Sequence, residues 1–182
     1  MKDQEYYNLV AAGLAFGVVL VFLLTAVVGA AANSNSPPAT PTGPAHMYLT
    51  VQINPDTGMP QYSPANFTVP VGTVTFTIVD YDSAVNWDGC TCNVSGTVGG
   101  TELVNGTSLA TVSNANVAHT FTIPTLGLNV LSPGGGSIVT FTVVLTQSGS
   151  YVWICTDPCG SDGFSGAPMG TDGYMSGTMT VG

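Results

Sequence analysis

A chain of 182 residues accommodates one ordinary domain of roughly 100–150 residues with material to spare, and this one carries a formal charge of -9 at pH 7 with a single Lys or Arg, Lys2. Nucleic acid is thereby excluded as a partner, because neutralising phosphates requires Lys and Arg. Charged residues are only 6% of the chain; in acid the carboxylates take up protons and leave a nearly neutral surface rich in Ser, Thr, Asn and Gly, which suits an acidic exterior as well as a plain acidic secreted surface.

Residues 1–32 comprise a short polar head and an apolar run at 9–32 interrupted only by Thr25. As a helix that run crosses a hydrocarbon layer of roughly 30 Å. The alternative is a cleaved signal peptide, since Gly29-Ala30-Ala31-Ala32 offers small residues for cleavage, but the run exceeds the usual apolar region of such a peptide. Lys2 before the run and no Lys or Arg after it predict a single-pass protein of the cell membrane, N-terminus cytoplasmic and everything past Asn33 outside. Residues 33–45, NSNSPPATPTGPA, are too rich in Pro and small polar residues to bury anything and read as a semi-extended tether.

The exterior part, 46–182, carries short β-branched and aromatic runs between Gly, Pro, Asn and Ser, at 47–53, 66–70, 73–79, 117–123, 138–145, 150–154 and 176–181. Val74, Phe76 and Ile78 alternate with Thr73, Thr75 and Thr77, the period of a half-buried strand. No helical pattern of comparable strength follows the tether, so the fold class is all-β, a Greek-key sandwich of the immunoglobulin-like or cupredoxin-like kind. A Gly- and Asn-rich stretch at 83–116, containing Cys90-Thr91-Cys92, reads as an insertion carrying one hairpin, and loops of that length usually have a job. Sequons at Asn66, Asn93 and Asn105 make N-glycosylation an expectation for an outward-facing domain.

The chemistry-bearing residues are His119, then Cys155-Thr156-Asp157-Pro158-Cys159, then Met169 or Met175. Thiolate, thioether and imidazole together select copper. At these residues the chain resembles subunit II of the heme–copper oxidases, in particular the single-span variety, whose exterior cupredoxin domain holds the binuclear CuA centre. Asn116-Val117-Ala118-His119-Thr120-Phe121 is similar to the family's "VIHGF"-like strand end, and Gly149-Ser150-Tyr151-Val152-Trp153-Ile154-Cys155-Thr156-Asp157-Pro158-Cys159-Gly160 matches its "GxYxxxCxxxCG". Tyr174-Met175-Ser176-Gly177-Thr178-Met179-Thr180-Val181 resembles the ending before its "GTIVV" strand. The resemblance implies His119, Cys155 and Cys159 as ligands, the carbonyl of Asp157 as a weak axial one and Met175 as the thioether. It also implies a respiratory-chain role in electron transfer, with a catalytic heme-bearing oxidase subunit, other membrane subunits and lipid as partners and no heme in this chain.

The chain departs from that pattern in lacking any His after His119. Asp172 stands roughly where the second imidazole would and is the candidate replacement, though a carboxylate is a hard ligand for copper. Quinol-oxidising members of the superfamily, which keep the fold without CuA, resemble this case, and the copper site is expected to be incomplete, with copper more readily absent than present. Outside the membrane, two disulfides would account for Cys90, Cys92, Cys155 and Cys159 in three pairings. His46 reads as a surface residue, and Met47, Met59, Met169 and Met179 as filler. Trp87 and Trp153 are candidates for electron entry, with core packing favoured for Trp153. Two other functions compete with the subunit II-like reading: a membrane-tethered copper electron carrier, and a cell-envelope structural protein with a disulfide-stapled sandwich.

Overall fold

The computed structural model describes residues 44–84, 90, 92–159 and 163–182, which belong to a compact unit, Gly43–Gly182. The expected span at 9–32, nearly all of the tether and Trp87 lie outside the described residues, among which no helix is long and apolar enough to cross a membrane.

Among the described residues eleven strands follow in chain order: β1 (Ala45–Ile53), β2 (Pro60–Ser63), β3 (Asn66–Val69), β4 (Gly72–Asp80), β5 (Glu102–Val104), β6 (Thr107–Leu109), β7 (Val117–Ile123), β8 (Leu128–Pro133), β9 (Ser137–Leu145), β10 (Gly149–Ile154) and β11 (Ser176–Val181). They form two sheets, ordered β2-β1-β4-β9-β5-β6 and β3-β11-β10-β7-β8. The chain changes sheet repeatedly; two neighbouring pairs, β1 with β4 and β3 with β11, are parallel, and the others are antiparallel.

The alternation along β4 sets the interior. Val74, Phe76 and Ile78 are fully buried, facing Val139, Phe141 and Val143 of β9 across a register that pairs Phe76 with Phe141. Their outward neighbours pair as well, Thr75 with Thr142 and Thr77 with Thr140 through hydroxyl hydrogen bonds of 3.1 and 3.3 Å. From the other sheet Phe121 and Trp153 enter the same core. Trp153 is fully buried, and its indole N–H donates to the Ala65 carbonyl at 2.8 Å, so the packing role expected of it holds.

Among the described residues of 83–116 lies one hairpin, β5–β6, turning through Asn105 and Gly106 in left-handed conformations. Under it lies a separate small cluster of Val94, Val112, Val117 and Leu131 with Cys90, Cys92 and Leu109 against it. Glu102 is 1% exposed, and one of its carboxylate oxygens accepts the Leu131 backbone N–H at 2.9 Å. Burial pushes this carboxyl up to about 7, against the lowering effect of that hydrogen bond. Ser95 and Asn129 exchange backbone hydrogen bonds of 3.0 Å in both directions. The insertion thus lies along β8.

Candidate metal centre

The site is built where β7 meets the end of β10. A register shift in the β7–β8 pairing falls between Val117 and His119, a bulge of the kind that re-aims a side chain. Val117 to Phe121 are all buried in consequence. His119 is 1% exposed and points its Nδ1 at the sulfurs of the loop that follows β10, 3.0 Å from Cys159 Sγ and 4.0 Å from Cys155 Sγ.

That loop is fastened to its surroundings. Thr120 receives the Thr156 N–H on its hydroxyl at 2.7 Å and donates its own N–H to Cys155 Sγ at 3.4 Å. The Cys155 N–H donates to the Met175 carbonyl at 2.8 Å, which brings the start of β11 alongside. Among the described residues, His119, Cys155 and Cys159 form a group whose ligand atoms all lie within 4.8 Å of one another. The Asp157 carbonyl oxygen lies 3.5 Å from Cys155 Sγ and 3.2 Å from Cys159 Sγ. Met175 is 1% exposed beside Cys155.

The expectation that all four cysteines pair is corrected here for two of them. Cys155 and Cys159 are free thiols with sulfurs 3.3 Å apart, while Cys90 and Cys92 form a disulfide. The physical reason is placement: Cys90 and Cys92 pack against the small cluster under the insertion, whereas Cys155 and Cys159 belong to the main core and face His119.

The electrostatics suit a shared proton. Burial by itself would keep Cys155 neutral, but hydrogen bonds from Cys159 and His119, with the imidazolium charge, hold it well below the usual thiol range. Donation of its S–H to Cys155 and burial push Cys159 up. For His119, burial disfavours the charged ring, yet the Asp82 carboxylate and the Cys155 thiolate hold it up to about 10. Burial raises Asp157 to about 6, helped by the thiolate of Cys155, and its Oδ1 has no partner among the described residues.

The remaining sequence-predicted residues stand apart. Asp172 is exposed in the turn before β11 and outside the ligand group. His46 is an exposed residue of β1, stacked on Tyr48 and hydrogen-bonded to Thr77 at 2.9 Å. Of the sequon residues, Asn66 accepts the Thr178 N–H, Asn105 accepts the Ile138 N–H at the hairpin turn, and Asn93 bridges Thr111; all three are exposed. Sequence reasoning missed Asp82, whose Oδ2 accepts from His119 Nε2 at 3.1 Å. No spacing motif marks it, since it lies 37 positions from its partner.

No family model and no curated protein sequence matches the chain. Among solved structures it is similar to a chain of a heme-copper terminal oxidase dimer, at 15% identity over 94% of this chain and 97% of that one with a TM-score of 0.39. It is also similar to reduced auracyanin from the photosynthetic bacterium Roseiflexus castenholzii, at 17% identity over 77% and 99% with a TM-score of 0.38. Amicyanin from Paracoccus versutus matches at 11% identity over 79% and 86%, with a TM-score of 0.33.

Proposed function

We propose that this chain is a membrane-anchored, extracytoplasmic electron-transfer protein with a cupredoxin-like domain that takes one copper ion, serving as a subunit II-like component of a respiratory terminal oxidase. The observation that carries the copper assignment is the convergence of one imidazole nitrogen and two unoxidised thiols in a buried pocket under the Asp157 carbonyl. The donors fit the ion: thiolate and imidazole are its preferred ligands, and copper displaces the thiol protons as it binds. A binuclear CuA pair needs an imidazole for each copper; with only two His in the chain, and His46 exposed on β1 and held by Thr77, one copper is the load that the donor set supports.

Copper, when bound, supplies the one-electron couple between its cuprous and cupric forms. Cys155 and Cys159 would hold it from one loop, His119 from β7 and Asp157 through its carbonyl, with Met175 as the candidate thioether. Burial of these groups excludes water, and their attachment to paired strands limits how far they move when the charge changes. The apolar run at 9–32 supplies the anchor in this reading, the exterior placement makes Asn66, Asn93 and Asn105 candidate glycan acceptors, and a heme-bearing catalytic subunit is the partner.

Full-length protein in detergent, reduced anaerobically, loaded with cuprous ion and then oxidised, tests the copper assignment. One copper per chain with a mononuclear paramagnetic resonance spectrum and a thiolate-to-copper absorption is expected, lost in Cys155→Ser and His119→Ala. A mixed-valence pair spectrum, or free thiols that retain no copper, would overturn it. Purification from native membranes tests the rest, since hemes that co-purify support the oxidase subunit and their absence favours a free carrier.

A further inference from the structure

Building on the copper reading above, the geometry assigns to Asp82 the role of positioning residue for the metal-facing imidazole: its carboxylate fixes which nitrogen of His119 is offered to the ion. The ring presents Nδ1 to the sulfurs and Nε2 to Asp82 Oδ2 at 3.1 Å. A carboxylate only accepts, so Nε2 keeps its proton, and Nδ1 is the nitrogen that would release its proton and offer a lone pair when a metal takes that proton's place. The other carboxylate oxygen, Oδ1, accepts the Ser83 N–H at 2.7 Å, so both oxygens are engaged and the orientation of Oδ2 is set.

The carboxylate is in turn held from behind. Asp82 donates its backbone N–H to Asp80 Oδ1 at 3.0 Å, and Asp80 is fully buried at the end of β4. The turn between β8 and β9 closes over the same segment: Gly135 N–H donates to the Asp82 carbonyl at 2.6 Å and Gly136 N–H to the Asp80 carbonyl at 2.7 Å. A Cβ on Gly134 would stand 2.2 Å from the Asp82 carbonyl oxygen and 2.9 Å from Ala84 N, so only glycine permits that approach. β4 belongs to one sheet and β7 to the other; Asp82 therefore ties the two sheets together at the metal pocket and transmits the rigidity of the first to a ligand carried by the second.

Copper affinity and reduction potential of the full-length protein in detergent, wild type against Asp82→Ala and Asp82→Asn, test the role. Removal of a partner of this kind weakens metal binding by roughly 10–100-fold, read by competition with a chromophoric chelator. Asp82→Ala is expected to lose that much for cupric ion. Asp82→Asn, whose amide oxygen still accepts from Nε2, should recover most of the affinity while its potential stays above wild type, because the negative charge that favours the cupric form is gone. A merely structural role would instead lower thermal stability in both variants without this split between affinity and potential.

A wild-type chain that takes no copper overturns the copper reading and this inference with it; one that takes copper equally well in Asp82→Ala overturns this inference alone. Nuclear magnetic resonance of the metal-free protein gives a further check. The His119 Nε2–H resonance should be protected from exchange in the wild type and lost in Asp82→Ala, and an unprotected proton in the wild type would refute the assigned bond.

Discussion

Between the two sheets lie Tyr62, Phe76, Phe121 and Trp153, all fully buried, with Tyr62 and Trp153 ring centroids 4.8 Å apart and Phe121 and Trp153 at 5.3 Å. Under the insertion the apolar contribution comes from Val94, Val112, Val117 and Leu131, each worth about 1.5–3 kcal/mol when fully buried. The sandwich can therefore stand on burial, whereas the insertion needs directed bonds in addition: the Cys90–Cys92 disulfide, the Glu102 carboxylate on Leu131 and the Ser95–Asn129 pair. The difference teaches where the molecule tolerates change. His119, Cys155 and Cys159 sit on the sandwich, so lesions within 93–112 are expected to act locally while lesions in the aromatic core act globally.

Trp153→Ala should give the largest effect. It removes a fully buried indole and leaves the Ala65 carbonyl without its 2.8 Å donor, a cost of about 3–5 kcal/mol, measurable as a fall in Tm of the whole domain together with a changed environment at Cys155, which follows directly on β10. An unchanged Tm would contradict the placement of the core.

Glu102 gives the next effect and the pH dependence. Burial holds its carboxyl up to about 7 in the fold against an ordinary value of 4.5, so the folded state retains a proton that the unfolded chain has released between those values. The stabilisation is fully present below about pH 4.5 and is lost as pH rises through 7, amounting to as much as about 3 kcal/mol. Glu102→Gln keeps an acceptor for the Leu131 N–H and removes the titration. The stability difference between wild type and Glu102→Gln should therefore change across pH 4.5–7 in chemical denaturation; a difference that is flat with pH would exclude a protonated Glu102.

Reduction of Cys90–Cys92, or replacement of both by Ser, opens a loop of sequence separation 2. So short a loop stabilises by roughly 1–2 kcal/mol on the chain-entropy account. Hydrogen exchange should quicken around Val94 and Val112 and stay unaltered around Phe76 and Phe141. The smallest effect is expected from Asn105→Ala, which places an alanine at φ 49 and removes the acceptor of the Ile138 N–H, a loss of about 1 kcal/mol confined to the hairpin and visible in proteolysis at its tip.

Much of the sandwich is legible in the sequence because its longer strands either keep one face wet or carry β-branched and aromatic runs between turn residues. The Thr/apolar alternation at 73–79 locates β4 within a residue at either end, and the predicted 117–123 and 176–181 coincide with β7 and β11. β8 escapes for the opposite reason: Leu128 to Ser132 are all buried, since the insertion covers the side that solvent would otherwise touch, and no alternation survives. β2 escapes because it is four residues beginning with Pro60 and showing little β-branched character. At the site, His119 and the two-cysteine loop are legible by residue type and spacing, whereas Asp82 is a loop carboxylate recruited only by the folding of one sheet over the other. Counting along the chain likewise directed attention to Asp172, but the turn that carries it faces solvent.

β8 is the last strand of its sheet, and last strands invite recruitment by neighbouring molecules through unpaired backbone groups. Here the outward-facing amides of Asn129 and Leu131 are taken by Ser95 and Glu102. The insertion therefore acts as a guard against aggregation as well as a covering for a second small core. A chain shortened within 93–112 would expose a template for strand addition, and its failure would be read as turbidity at high protein concentration.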